Sequence, residues 1–312
     1  RVLARPQAER NRLRNFLAHA LAHDPGAFDR LEWAEGDLMD GIALEEAFAG
    51  AKRVVHAAAV VSFHRRDAVH MMRANRDGTA NVVNAMLATG VGELVYISSV
   101  AALGRKPGEP VVHEETVFED GPAVSAYARS KYRAELEVWR GQEEGLRVLV
   151  LNPVIVIGPG DYARSSAALL SQVANGLRFY PMGSNGFVAA QDVADAAWQL
   201  LQSGSWGHRF VVCGFHATYR EVLDALADAL ETERPRYAVR PWMAGIAWRL
   251  ARLVEFVTGH PAFATRDALA TSARNHRYSS EKLTNRIGLA FTPLLPAAKR
   301  AADHYLRFRP GA

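Results

Sequence analysis

Tyr127 and Lys131 stand four residues apart in the run Tyr127-Ala128-Arg129-Ser130-Lys131. On a helix this spacing puts both side chains on one face, one turn apart. An ammonium beside a phenol stabilises the phenolate. A free tyrosine has a pKa of about 10, and each unit of depression takes about 1.4 kcal/mol. A lysine aided by a second positive charge would bring the phenol toward neutral pH. Upstream, Ser98 and Ser99 close the apolar run Val95-Tyr96-Ile97, where a serine hydroxyl can orient a substrate oxygen. Tyrosine, lysine and serine together make a proton-transfer set for alcohol or carbonyl chemistry. The pentapeptide by itself reads more readily as a solvated helix face, so the functional reading depends on the elements that carry it.

Those elements alternate. Short β-branched or apolar runs at 2–4, 31–34, 53–57, 94–98 and 147–151 read as strands buried on both faces. Helical patterns lie between them, at about 10–22, 44–48, 74–88 and 127–144, the last stopped by Gly145. Strand–helix alternation with right-handed crossovers predicts an α/β fold, a doubly wound parallel sheet of Rossmann type. After Pro153 the interleaving loosens. Helices are expected at about 165–174, 192–201 and 219–230, and a strand at 210–213. The expected division is a dinucleotide-binding domain over 1–155 and a smaller, mostly helical substrate-binding domain over 156–312. Part of 186–215 is expected to pack back on the first domain.

Composition narrows the function classes. The chain has 312 residues, of which 49% are hydrophobic and 22% charged, the balance of a soluble globular protein. The net charge of +4 comes from scattered residues with no basic run, so nucleic acid is not an expected partner. The single cysteine, Cys213, excludes an internal disulfide and a Cys-rich metal site. His19 and His23 have a metal pair's spacing but no third ligand nearby, so no metal is expected. No uninterrupted apolar stretch is long enough for a transmembrane helix. The apolar segment 242–257 reads as a helix over the substrate pocket, with an interfacial membrane helix as its alternative. A cytoplasmic location is the expectation.

Further motifs occur in order. Gly36-Asp37-Leu38-Met39-Asp40 follows the second strand, and His56-Ala57-Ala58-Ala59 the third. Asn75 opens Asn75-Arg76-Asp77-Gly78-Thr79-Ala80-Asn81. The serine strand runs to Gly104, Leu151-Asn152-Pro153 precedes a Gly158-Pro159-Gly160 loop, and Phe187-Val188 leads to Asp192-Val193-Ala194. With Tyr127 and Lys131, this series resembles the extended short-chain dehydrogenase/reductase family. The closest resemblance is to its dihydroflavonol-reductase and 3β-hydroxysteroid-dehydrogenase side, among proteins described as NAD-dependent epimerase/dehydratase. It covers nearly the whole chain.

The resemblance implies roles. Tyr127, Lys131, Ser99 and Asn75 would be catalytic, with Asn75 supporting a water relay to the lysine. Ser99, set by its distance from Gly104, takes the serine role, with Ser98 its neighbour. Arg5, Asp37, Leu38, Ala57, Ala58, Ser98, Tyr127, Lys131 and Pro153 would line the cofactor. Arg5 stands where an acidic residue would select the ribose hydroxyl. An arginine there, helped by Arg10 or Arg12, accommodates a 2′-phosphate, so NADP(H) is favoured and NAD(H) is the alternative. His56 reads as structural, and Asp192 as a helix N-cap.

The family's Gly-x-x-Gly-x-x-Gly loop, with its central strand, does not occur in the chain. The expectation is a piece of a longer, N-terminally truncated protein with unpaired strand edges. The implied reaction is carbonyl reduction or its reverse on a small apolar or aromatic substrate, Trp206, Trp242, Trp248, Phe256 and Phe263 being candidate pocket residues. The rival is a nucleotide-sugar epimerase or dehydratase, with Arg164, Arg178 and Arg274 available for a diphosphate. A non-catalytic dinucleotide sensor is the third reading. The resemblance also implies a possible homodimer.

Overall fold

Short apolar strands and intervening helices form parallel pairs through the first half of the chain. The structure is a computed structural model describing residues 1–5, 10–21, 24, 26–62, 64–105, 110–122, 124–163, 165–239 and 271–308. The chain runs β1 (Val2–Ala4), α1 (Arg10–Ala20), β2 (Trp33–Glu35), α2 (Gly41–Phe48), β3 (Arg53–His56), α3 (Ala68–Met72), a π-helical turn over Arg73–Asp77, α4 (Gly78–Thr89), β4 (Glu93–Ile97), α5 (Ala126–Glu143) and β5 (Arg147–Pro153). It continues with β6 (Ile155–Ile157), α6 (Ala168–Ala174), β7 (Phe179–Pro181), β8 (Ser184–Ala189), α7 (Ala190–Gln202) and β9 (His208–Val212). Then come β10 (Phe215–Thr218), α8 (Tyr219–Ala229), β11 (Tyr237–Val239), α9 (Glu281–Ile287) and α10 (Leu294–Phe308).

The main sheet is parallel, in the order β3-β4-β5-β9. Its strands alternate sides with period two. Leu94, Tyr96, Val148 and Val150 meet α2, α4 and α5 through Leu44, Val83, Met86 and Val138. Val95, Leu149 and Leu151 face the other way, onto Val193 and Leu200 of α7 and Leu283 of α9. Leu94 and Leu149 are fully buried, and truncating either to alanine costs about 2–5 kcal/mol. β1 and β2 form a separate parallel pair that is not hydrogen-bonded to β3, although Leu3 and Ala34 pack against the same cluster as α2 and α4.

A second lobe follows. β6 pairs parallel and β10 antiparallel with β8, and β7 pairs with β11. Leu170 of α6, Leu226 of α8, and Ala301 and Tyr305 of α10 close over Phe187.

Local sequence explains several boundaries. The Ser125 side chain caps α5 by accepting from Ala128 N at 3.1 Å. α4 stops where Gly90 turns left-handed at φ 73°. Thr218 and Glu221 form a reciprocal capping box on α8.

Four expectations need correction. The strand read at 31–34 lies at Trp33–Glu35. The helix read over 74–88 is preceded by a short helix from Ala68 and interrupted by the π turn carrying Asn75. The helix read from 165 begins at Ala168. Asp192 is not an N-cap. Ala189 holds that position, while Asp192 lies inside the first turn of α7, buried, and its carboxylate accepts from Thr292 N and Thr292 Oγ1 at 2.8 and 2.7 Å. The predicted helix at 242–257, with Trp242, Trp248, Phe256 and Phe263, and the residues His23 and Arg164 lie outside the described residues. No helix among the described residues is long and apolar enough to cross a membrane.

Candidate active site

The carboxyl ends of β1 to β5 carry the residues singled out from the sequence. Arg5 follows β1, Asp37 and Leu38 follow β2, Ala57 and Ala58 follow β3, Ser98 and Ser99 follow β4, and Pro153 ends β5. Ligands bind at this end of open parallel sheets. α5 returns across it with Tyr127 and Lys131 in its first turns.

Tyr127 is half-buried and hydrogen-bonded to the Ser99 hydroxyl. Burial pushes its phenol above the ordinary tyrosine value, and the Ser99 bond draws it partly back. In this structure desolvation therefore dominates the phenol, against the depression expected from the lysine. Ser99 Oγ also accepts from Ala101 N at 3.2 Å, opening a tight turn over Val100–Ala102. The neighbouring Ser98 hydroxyl is turned inward and donates to Glu135 Oε2 at 2.6 Å.

Lys131 is buried. Its Nζ donates to Tyr96 Oη at 3.0 Å and to the Ile97 carbonyl at 3.1 Å. Burial lowers its pKa to about 8, and the Glu135 carboxylate acts in the opposite direction. Tyr96 is in turn hydrogen-bonded to Thr79, whose hydroxyl donates to the Asn75 carbonyl at 2.6 Å. That uses the single Thr79 proton, so His56 Nε2, 3.0 Å from Thr79 Oγ1, is the donor of its pair. Burial, reinforced by Lys131, lowers the His56 pKa to about 3. The imidazole is neutral and structural.

Asn75 is committed through its side chain. Oδ1 accepts from Val60 N at 2.7 Å, and Nδ2 donates to Val60 O and to Ser130 Oγ, both at 2.9 Å. Ser130 donates to the Tyr127 carbonyl at 2.8 Å. Asn75 thus ties the loop after β3 to the turn of α5 that holds the tyrosine. The π turn that places it is a device common at functional sites.

The cofactor candidates differ in surroundings. Arg5, Asp37, Ala57 and Ala58 are exposed. Asp37 accepts from Met39 N at 2.9 Å. The Leu38 carbonyl accepts from Asn81 Nδ2 at 2.9 Å, and its side chain lies where a Cβ on Gly78 would come within 3.1 Å. Pro153 is buried. Arg10, expected to assist Arg5, is paired with Glu35 at 2.6 Å and lies over the Trp33 ring. Trp206 packs against the core and under Arg147, just before the start of β9. Among the described residues no cluster of three or more metal-ligating side chains occurs.

Four residues of this network were not singled out from the sequence: Tyr96, Thr79, Ser130 and Glu135. The signal for two was present. Thr79 follows Asn75, and Glu135 follows Lys131, by one helical turn.

Comparison with known proteins supplies the frame. The family described as "NAD dependent epimerase/dehydratase family" matches residues 4–213. Sterol demethylase protein B of Methylococcus capsulatus is 32% identical over 229 residues, covering 72% of this chain and 70% of its own. A putative dihydroflavonol 4-reductase of Synechocystis is 26% identical over 266 residues, covering 83% and 77%. Among solved structures, the protein designated gox2253 superposes with a TM-score of 0.76 at 28% identity, covering 98% of this chain and 90% of its own. RMD from Pseudomonas aeruginosa, solved with NADPH, gives a TM-score of 0.67 at 24% identity, covering 94% and 96%. The fold, the ordered motifs and these matches agree: the chain belongs to the NAD-dependent epimerase/dehydratase family.

Proposed function

We propose that this protein is an NADP(H)-dependent oxidoreductase that reduces a carbonyl, or oxidises the matching secondary alcohol, of a small apolar or aromatic substrate. The observation that carries this reading is the Tyr127–Ser99 hydrogen bond at the carboxyl end of the parallel sheet, with buried Lys131 one turn beyond. A substrate oxygen brought to this half-buried pair would meet both hydroxyls. In the reductive direction Tyr127 Oη gives its proton to the substrate oxygen, and Ser99 Oγ orients that oxygen. Lys131 supplies positive charge that steadies the phenolate left behind. Asn75 fixes the backbone of the Tyr127 turn through Ser130.

The residues present fit a dinucleotide at two places. Exposed Ala57 and Ala58 leave backbone accessible after β3, and exposed Arg5 follows β1 with its charge available to a 2′-phosphate. When bound, the nicotinamide supplies or accepts the hydride. The substrate class draws on the names of relatives, which include a sterol demethylase protein, a dihydroflavonol reductase and cinnamoyl-CoA reductases.

The test is consumption of NADPH by the full-length protein against aromatic and steroid-like ketones, beside a parallel set of nucleotide sugars. Multiple-turnover loss of NADPH with a ketone supports the reading. Conversion of a nucleotide sugar without net cofactor consumption refutes it in favour of an epimerase or dehydratase.

A further inference from the structure

Glu135 lies one turn beyond Lys131 on α5 and is 2% exposed. Its carboxylate is a hub. Oε2 accepts from Ser98 Oγ at 2.6 Å and Asn152 Nδ2 at 2.8 Å. Oε1 accepts from Arg209 Nη1 at 3.2 Å and Trp139 Nε1 at 3.3 Å. Ser98 immediately precedes Ser99, Asn152 immediately precedes Pro153, and Asn152 Nδ2 also reaches the Ser99 carbonyl at 3.1 Å. One buried carboxylate therefore joins the ends of β4 and β5 to β9 and to the helix that carries Tyr127.

A buried charge is tolerated only when paired and hydrogen-bonded. Glu135 meets that condition through Arg209. Lys131 does not: its acceptors, Tyr96 Oη and the Ile97 carbonyl, are both neutral. The charged and titratable groups coupled to the ammonium are Tyr96 from β4, His56 from β3 and Glu135 from α5, while Tyr127 of α5 is coupled to Tyr96. Of these, His56 stays neutral and the tyrosines are pushed toward their neutral forms by burial. Glu135 is the anion whose field reaches Lys131. Lys131 and Glu135 form no ion pair among the described residues, so the coupling acts through space. A neutral glutamine would keep one acceptor oxygen for two of the four donors, turn its amide NH2 toward the other two, and lose the field.

We infer that Glu135 is a positioning residue of this site: its buried carboxylate locks the Ser98–Ser99 and Asn152–Pro153 strand ends against α5 and provides the counter-charge that keeps Lys131 protonated. The activity arm of its test rests on the reductase reading, whereas the stability arm does not.

In the activity arm, Glu135→Gln is expected to move the basic limb of the kcat/KM–pH profile toward lower pH by about one unit. Glu135→Asp, which retains the charge, should restore most of that shift. In the stability arm, unfolding of the full-length protein by urea is followed between pH 7 and 9.5. Native Lys131 titrates at about 8, against 10.5 for the ordinary lysine. The unfolded chain binds the extra proton between those values, so stability rises with pH there. E135Q should begin that rise at lower pH, and the pH-dependent part of its difference from wild type should vanish in a Lys131→Met background, leaving only a constant cost for the lost hydrogen bonds. An E135Q protein that is equally destabilised at every pH, with an unmoved basic limb, overturns the inference. A pH-dependent difference that survives in K131M also overturns it. Should E135Q not fold, Arg209→Met removes the cation opposing Glu135 and is expected to move the limb upward; an unmoved limb overturns the inference. If no carbonyl substrate turns over, the reductase reading fails while the urea profiles still decide the role of Glu135.

Discussion

Lys131 Nζ sits 3.0 Å from Tyr96 Oη, so the buried ammonium of α5 is tethered to β4, the strand that leads into Ser98 and Ser99. The tether has two strands, the phenol and the Ile97 carbonyl. Tyr96→Phe removes one of them and leaves the ammonium less solvated. A hydrogen bond to a charged group contributes about 1.5–3 kcal/mol. The expected outcome is a fall in kcat/KM of about tenfold to a hundredfold, with the basic limb moved to lower pH. A steady-state pH profile of Y96F checks it.

Tyr127→Phe deletes the proposed proton donor and keeps the ring. General acid–base groups contribute about 10²- to 10⁴-fold, so turnover should drop by that order. Cofactor binding, read by quenching of protein fluorescence, should remain within a few-fold of wild type. Unchanged turnover in Y127F would remove Tyr127 from the mechanism.

His56 makes acid lability a specific expectation. Its pKa is about 3 in the folded protein against an ordinary value of 6.5. Between those values the unfolded chain binds a proton that the native imidazole refuses. The stabilising contribution is complete above pH 6.5 and is lost as pH falls toward 3, at about 1.4 kcal/mol per pH unit. Urea midpoints measured from pH 7 to 4.5 should fall for wild type and flatten for His56→Asn. Parallel curves would contradict the assignment.

Asp192 and Thr292 provide a tertiary test. Asp192→Ala removes the acceptor of two hydrogen bonds at 2.8 and 2.7 Å and should cost about 2–3 kcal/mol. A double-mutant cycle with Thr292→Val should give a coupling of at least about 1 kcal/mol. Additive effects would mean that the carboxylate acts on its own helix instead.

Arg5→Ala should weaken NADPH binding about tenfold or more and leave NADH binding nearly unchanged, since the guanidinium would contact only the 2′-phosphate. Titration of both cofactors against the two proteins reads this directly. Equal weakening would assign Arg5 a general structural role.

The period-two pattern of Leu94, Val95, Tyr96 and Ile97, and the strand–helix alternation around it, were legible because they follow from local geometry and burial on both sheet faces. The pairing of Tyr127 with Lys131 on one helix face was legible for the same reason. Asp192 was misread because a carboxylate near a helix start satisfies the same local pattern whether it caps its own backbone or reaches a residue far along the chain. The pairing of Arg10 with Glu35 on β2 was not legible either, because no spacing rule joins them.

By itself, then, the sequence determined the parallel α/β architecture, the family and the candidate proton-transfer residues, because these depend on short-range periodicity and ordered motifs. Only the tertiary structure decided which serine hydroxyl meets Tyr127 and which is given to Glu135, and that Lys131 rests on Tyr96. It also decided that His56 stays neutral. Those outcomes turn on which buried polar groups are brought together from distant segments, and on the desolvation each one suffers there.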